Sequence, residues 1–296
     1  MGQQKTCYIA IVGKPNVGKS TMLNQILGEK VAIVSAKPQT TRNRIIGILT
    51  EGDDQFVFLD TPGIFSPRNA LGEYMVKTAG SSIQDADAVI LMVDVQKTCG
   101  TVEEKVIADA KRADIPVILA LNKVDTVTPE IVAERLAEYS AKHDFHAYVP
   151  MCAKNGRNVD ALLKECRAFL MEGEWYYPED MSTDQPVRQM AAEIIREKVL
   201  RTVDKEIPHG VAVVIEEFKE DGDLTRIRAE IFCEKESHKG IIVGKGGEGL
   251  KRIGSYARAD LEKLLDTKVY LNLWVKVKEN WRESAKTVNN FGYHDD

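Results

Sequence analysis

The 296-residue sequence is poor in several things, and each shortage excludes something. Five cysteines (Cys7, Cys99, Cys152, Cys166, Cys233) are odd in number and never in C-x-x-C spacing. That argues against a disulfide framework or a thiolate zinc site and fits a reducing compartment; each reads as a small buried hydrophobe. His209 and His238 have no metal-ligand spacing. The longest apolar runs, such as "AVILMVDV" from Ala88 to Val95, are strand-length, well short of the ~18 residues that span a bilayer. The N-terminus runs almost directly into a strand, leaving no room for a secretory signal, so a cytoplasmic protein is expected. There is no surplus of positive charge either. The net charge is −5, and 20 basic residues lie on either side of Pro186, against 25 acidic before it and 20 from it onward. Nucleic-acid binding would have to rest on a local patch.

What is present falls into two grammars, as a length prior of about two domains suggests. In residues 1–171, apolar runs ("CYIAIVG", "QFVFLD", "AVILMVDV", "PVILALNKVD", "AYVPMCAK") alternate with helical patterns such as Val102 to Ala113 and Pro129 to His143. Strands apolar on both faces, separated by helices, predict an α/β domain with a mostly parallel sheet. Its ligands belong at the carboxyl ends of the strands. Residues 172–186, "EGEWYYPEDMSTDQP" within their acids and prolines, read as a linker. Residues 187–296 then predict a smaller α+β domain: helix, two strands around the turn "KEDGD", helix, glycine loop, helix, strand.

"GKPNVGKS" satisfies G-x-x-x-x-G-K-[ST] after the strand Tyr8 to Val12. The backbone of Gly13, Lys14, Pro15, Asn16, Val17 and Gly18 can wrap phosphate oxygens. Lys19 reaches the β- and γ-phosphates, Ser20 offers a hydroxyl to Mg²⁺, and Thr21 follows in the first helical turn. "NKVD" puts Asn122, Lys123 and Asp125 after a later strand, where the Asp125 carboxylate can accept both the ring N–H and the exocyclic amine of guanine; adenine offers neither donor in that arrangement. "DTPG" places Asp60 to hold Mg²⁺ through water, followed by Thr61, Pro62 and Gly63, whose N–H can meet the γ-phosphate. Cys152, Ala153 and Lys154 end the last strand and can back the base through the Ala153 amide. "QTTRNRI" supplies a switch threonine; Thr40 and Thr41 are both candidates, with Thr41 favoured. Order and spacing together predict a P-loop GTPase domain. Ile64 follows Gly63 where some GTPases carry a water-orienting glutamine, so slow turnover is expected, with Lys19, Thr41 and Gly63 as the catalytic set. Asn16 either ligates K⁺ or simply shapes the turn. Arg42 and Arg44 read as surface residues.

"GIIVGKGGEGLKRIG" contains a G-x-G-x-x-G, but the dinucleotide fingerprint needs a strand–turn–helix in a parallel unit, and here the preceding strands read as an antiparallel pair. Helix, G-x-x-G, helix is the core of a type II KH module, whose loop holds about four single-stranded nucleotides. Gly244, Lys245, Gly246 and Gly247 form the clamp. Lys239, Lys245, Lys251, Arg252 and Arg258, against Glu248 alone, make the local basic patch. Trp274, Trp281, Tyr256 and Tyr270 could stack bases, but core or cap packing is the favoured expectation for each.

A GTPase with T-T-R in its switch, D-T-P-G, the "YYPEDMSTDQ" linker and a C-terminal GKGG module resembles the Era family over the whole chain. The resemblance implies binding of single-stranded sequence near the 3′ end of 16S rRNA, a role in small (30S) ribosomal subunit assembly, GTP favouring the RNA-competent state, and a cytoplasmic monomer with peripheral contact at the inner face of the membrane. Cys152 stands where many relatives have serine, in a motif whose contact is made by backbone. The alternative reading is a nucleotide-stabilised RNA-binding scaffold with negligible hydrolysis.

Overall fold

The computed structural model describes residues 3–204 and 207–294. Two compact units emerge: unit 1 runs to Val34 and includes Thr41–Pro67 and Met75–Asp184, and unit 2 comprises Ser35–Thr40, Arg68–Tyr74 and the chain from Gln185 onward.

Unit 1 is built on β1 (Lys5–Val12), β2 (Ile45–Glu51), β3 (Asp54–Asp60), β4 (Ala88–Asp94), β5 (Val117–Asn122) and β6 (Ala147–Pro150), in the order β2-β3-β1-β4-β5-β6. All neighbours are parallel except the β2–β3 hairpin, whose first strand the sequence reading did not anticipate. Strand β1 shows why the runs are apolar throughout. Ile9 and Ile11 enter one core with Met22 and Leu23 of α1 (Lys19–Leu27) and Leu162 of α5 (Val159–Cys166). Ala10 and Val12 enter the opposite core with Ile83 of α2 (Ala70–Gln84), Val106 of α3 (Thr101–Arg112) and Tyr139 of α4 (Pro129–Ser140). Side chains alternate across a strand, so a sheet covered by helices on both faces needs apolar residues at every position. Val12, Asp60, Asp94 and Asn122 are left at the carboxyl ends of adjacent strands, where the site forms.

The acidic, proline-bearing stretch read as a linker is strapped along unit 1 as far as Asp184. Strand β7 (Met171–Glu172) pairs antiparallel with the start of β1. The fully buried Gln55 accepts from the amides of Tyr176 and Tyr177 at 3.1 Å and donates to the Tyr177 carbonyl at 2.9 Å. Further on, the Ile48 amide donates to the Ser182 carbonyl and the Thr183 hydroxyl to the Ile46 carbonyl. Composition announced a stretch without periodic structure. It carried no sign that a glutamine far upstream would satisfy its backbone.

Unit 2 contains α6 (Val187–Thr202), β8 (Ala212–Asp221), β9 (Leu224–Cys233), α7 (Glu236–Val243), α8 (Glu248–Leu265), β10 (Lys268–Val277) and α9 (Ala285–Asn290). The sheet order is β10-β9-β8, with β8–β9 antiparallel and β9–β10 parallel. The inner faces of these strands (Val213, Ile227, Ala229, Ile231, Val269, Val275) pack on Ile195 and Val199 of α6 and on Ile253, Ala257 and Leu261 of α8. The α8 residues recur every three to four positions, giving one apolar stripe.

Gln55→Leu, close in volume but unable to hydrogen-bond, should lower stability by about 2–4 kcal/mol, because the amides of Tyr176 and Tyr177 lose their acceptor. Thermal unfolding together with limited proteolysis at 172–184 measures both the destabilisation and the released strap.

Candidate nucleotide site and nucleic-acid interface

The loop from Gly13 to Gly18 joins the end of β1 to the start of α1. Gly13 has φ 149°, and an added Cβ there would lie 2.2 Å from the Met92 carbonyl oxygen, so no other residue fits without displacing β4. Asn16 adopts φ 63°, a left-handed conformation that asparagine tolerates, and its side chain is exposed. Helix α1 has no side-chain cap at its N-terminus, and its first turn begins Lys19, Ser20, Thr21. Uncapped N–H groups with a partial positive charge suit an anion.

Lys19 is buried, and its ammonium donates to the carbonyls of Gly13 (3.2 Å) and Lys14 (3.1 Å). Burial lowers its pKa to about 8, opposed by the nearby Asp60 carboxylate. Asp60 is itself 0% exposed. Its Oδ2 accepts from the Ser20 hydroxyl at 2.5 Å, and its Oδ1 has no hydrogen-bond partner. Burial raises the Asp60 pKa to about 6, against the lowering effects of Lys19 and the Ser20 hydrogen bond. The Ser20 and Thr41 hydroxyl oxygens lie 2.8 Å apart. Ser20, Thr41 and Asp60 thus bring together three hard oxygen ligands, one an unsatisfied buried carboxylate, which is the donor set of a small divalent cation such as Mg²⁺.

The same geometry separates the two switch threonines. The Thr40 hydroxyl donates to the Lys37 carbonyl (2.6 Å) and lies 2.7 Å from the Ser35 hydroxyl, while Thr41 meets Ser20. Arg42, expected at the surface, is instead 1% exposed and among the largest fully buried side chains, although its neighbour Arg44 in the same stretch is exposed. Arg44 is exposed and pairs with Asp85 at 3.1 Å.

In "DTPG", the buried Thr61 hydroxyl donates to the Ile11 carbonyl, and the Ile64 amide donates to the Gly13 carbonyl at 3.0 Å. Pro62 is buried between them, and Gly63 lies so close to Pro15 that a Cβ would fall 2.6 Å from its nitrogen. The Ile64 side chain packs into the core with Ala10 and Val12.

Asn122 organises the base corner. Its Nδ2 donates to the Val17 carbonyl (2.7 Å) and its Oδ1 accepts from the Ala153 amide (2.9 Å), so one buried side chain joins the phosphate loop to the last strand's end. Lys123 sits at φ 67° with its ammonium 2.7 Å from Asp94, and Asp125 stands exposed beyond it. Cys152 is buried with its amide on the Arg157 carbonyl, and Lys154 is exposed.

Two features escaped the sequence reading. The Lys14 ammonium, in the phosphate loop, turns to the buried Glu103 of α3 at 2.8 Å, which leaves its backbone rather than its charge for a ligand. Asn24 accepts from the amides of Val31 and Ala32 and donates to the Ala32 carbonyl, fixing the chain that leaves α1. Neither contact is written in a motif: the Lys14 partner lies on a later helix, and Asn24 holds backbone beyond the end of its own helix.

In unit 2, Gly244, Lys245, Gly246 and Gly247 join α7 to α8, with Gly246 at φ 61° and Gly247 at φ 83°. Lys245 and Gly246 are exposed at the tip, with Lys251 and Arg252 exposed on the first turns of α8 and Lys239 half-buried on α7. The aromatic expectation is corrected for three of four residues. Trp281 is 1% exposed and donates to the Gly210 carbonyl, but Tyr256, Tyr270 and Trp274 are 56–58% exposed. Tyr270 and Trp274 share the strand face turned away from the helices, where none of the described residues buries them.

Both sites in one chain define a class: a P-loop GTPase that carries a KH domain. Residues 8–123 match the family described as "50S ribosome-binding GTPase", and residues 206–282 match the KH domain. GTPase Era of Alkaliphilus metalliredigens is 47% identical over 98% of this chain and 99% of its own, and GTPase Era of Clostridioides difficile is 48% identical with the same coverage. A crystal structure of Era in complex with MgGDPNP and nucleotides 1506–1542 of 16S ribosomal RNA superposes with a TM-score of 0.95 at 42% identity, over 98% of this chain and 99% of that one. A variant of Aquifex aeolicus Era bound to GDP·AlF4⁻ gives 0.94 at 42%, with the same coverage. The chain belongs to the Era family of GTPases, and it hydrolyses GTP.

The Asp60 carboxyl must lose its proton to take a cation. With its free-site pKa raised to about 6, affinity for Mg²⁺–GDP should weaken by roughly tenfold from pH 7 to pH 5, beyond the change due to the nucleotide's own titration. Calorimetry on Asp60→Asn, in which that extra slope should vanish, provides the check.

Proposed function

We propose that this protein is a slow GTP-driven switch that grips single-stranded RNA near the 3′ end of 16S rRNA and assists assembly of the small ribosomal subunit in the cytoplasm. The observation that carries the reading is the convergence of Ser20, Thr41 and Asp60 behind the phosphate loop in a chain that also presents an exposed GKGG tip. The RNA partner is taken from the 42%-identical relative whose structure holds 16S nucleotides. That RNA belongs to the small subunit, which favours the 30S particle even though the first domain's family is described by the 50S particle.

In this reading the backbone from Gly13 to Thr21 cradles the phosphates, with Lys19 on the β- and γ-oxygens. Ser20 and Thr41 would hold Mg²⁺ directly and Asp60 through water; the cation neutralises phosphate charge as it develops. The Gly63 amide faces the γ-phosphate, Asp125 reads guanine, and the Ala153 amide, held by Asn122, backs the base. Ile64 lies in the core and orients no water, which supports slow hydrolysis. Asn16, already shaping its turn, is the candidate K⁺ ligand, and hydrolysis faster in K⁺ than in Na⁺, with the difference lost in Asn16→Ala, would support that role. Among the described residues no helix is long and apolar enough to cross a membrane.

The test is affinity for a short single-stranded RNA copying the 16S 3′ tail, measured with GTP analogue, with GDP and without nucleotide. Binding should be strongest with the analogue. It should fall by at least roughly tenfold in Gly246→Asp, which puts a negative charge at the phosphate clamp. Binding indifferent to both nucleotide and variant would sink the reading.

A further inference from the structure

We infer that the outer face of the β8–β9–β10 sheet is a stacking platform for a second stretch of single-stranded RNA, separate from the groove at the GKGG loop. The inference rests on the RNA-binding reading above and extends it to a surface that a glycine-loop clamp does not use.

The strand register places the face. On β10, Val269, Leu271, Leu273 and Val275 pack inward, so Tyr270, Asn272 and Trp274 point outward. Their neighbours on β9 are Arg226, Arg228 and Glu230, and the neighbours beyond on β8 are Lys219, Glu217 and Val214. The far end of this face is closed by the chain itself, where Phe291, just after α9, lies 4.6 Å from the Phe232 ring, centroid to centroid. The end bearing Tyr270 and Trp274 is not closed by the described residues, both of these side chains belonging to residues more than half exposed. Two large aromatics on one strand, outside every core cluster, are what a soluble domain buries unless a partner covers them.

The chemistry favours bases as that partner. Tyr270 and Trp274 are four residues apart on an extended strand, about 13 Å, which leaves room between them for an intervening base whose edge Asn272 can meet. Both residues are more than half exposed, and bases of any sequence stack on exposed aromatic rings. The Arg226 guanidinium already lies 5.8 Å from the Tyr270 ring centroid, a cation beside an aromatic that also suits a phosphate next to a stacked base. Arg226 pairs with Asp221 at 3.3 Å, Arg228 with Glu217 at 3.8 Å, and Lys276 with Glu230. The two arginine pairs are exposed, and pairs of that kind contribute little, so a phosphate can displace their carboxylates. Basic side chains on this face (Lys219, Arg226, Arg228, Lys268, Lys276) outnumber the acids (Glu217, Asp221, Glu230). The RNA partner is also long enough: a glycine loop grips about four nucleotides, and the relative's structure carries 1506–1542.

The experiment uses the full chain and two RNAs from the 16S 3′ end, one of about six nucleotides that only fills the groove and one of about sixteen. Tyr270→Ala and Trp274→Ala should each weaken binding of the long RNA by roughly tenfold and leave the short RNA and basal GTP hydrolysis unchanged. Trp274→Phe, which keeps a stacking ring, should restore most of the affinity. Gly246→Asp should weaken both RNAs. Unchanged affinity of the double alanine variant for the long RNA would overturn the inference while leaving the groove reading intact. If that variant also failed to join small-subunit particles, the face would belong to a protein partner, and the inference would again fall. Failure of both RNAs to bind the wild-type chain would remove the RNA reading and this one together.

Discussion

Everything in the first unit is arranged around two buried charges of opposite sign. Asp60 and Lys19 sit at the ends of neighbouring elements, β3 and α1, with almost no access to water. Burial pulls each toward its neutral form, the carboxyl up to about 6 and the ammonium down to about 8. Asp60 retains one oxygen with no hydrogen-bond partner. A folded chain keeps such a group only where another demand outweighs the cost of desolvation. A phosphate beside the ammonium and a divalent cation beside the carboxylate relieve both costs at once. The parallel sheet makes the arrangement possible, because it delivers the ends of β1 and β3 side by side without further loops.

The base corner is held by one side chain acting on two separate pieces of backbone. Asn122 connects Val17 and Ala153 through one amide group, so the phosphate loop and the last strand's end are placed by the same residue. A cysteine at position 152 is accommodated here with its side chain buried and its amide on the Arg157 carbonyl. Lys14 illustrates the same division. Its ammonium goes to Glu103, and only its backbone remains in the loop.

The second unit separates packing from display. Helix α8 buries Ile253, Ala257 and Leu261 and leaves Lys251 and Arg252 to solvent near the glycine tip. Strand β10 does the same with period two, and its outward positions carry aromatic rings where most exposed strands carry polar residues. A chain with a net charge of −5 can still meet a polyanion, because both displays are local.

The legible part of this protein is the part made from contiguous residues. Phosphate wrapping, guanine reading and the GKGG clamp each use a few neighbours at fixed spacing, since a turn must present its own backbone. Alternating apolar runs and helical stripes likewise announced both domains. Spacing could not separate Thr40 from Thr41, because adjacent hydroxyls differ only in which way the folded chain turns them; the contact with Ser20 distinguishes them. Nor could it say that Arg42 is enclosed, that Gln55 would hold the stretch at Tyr176 and Tyr177, or that Trp281 is covered while Trp274 is bare. Tryptophan is equally apolar at either position. Whether it is buried depends on strand register and on what the rest of the chain lays over that face, and that is decided only when distant segments meet.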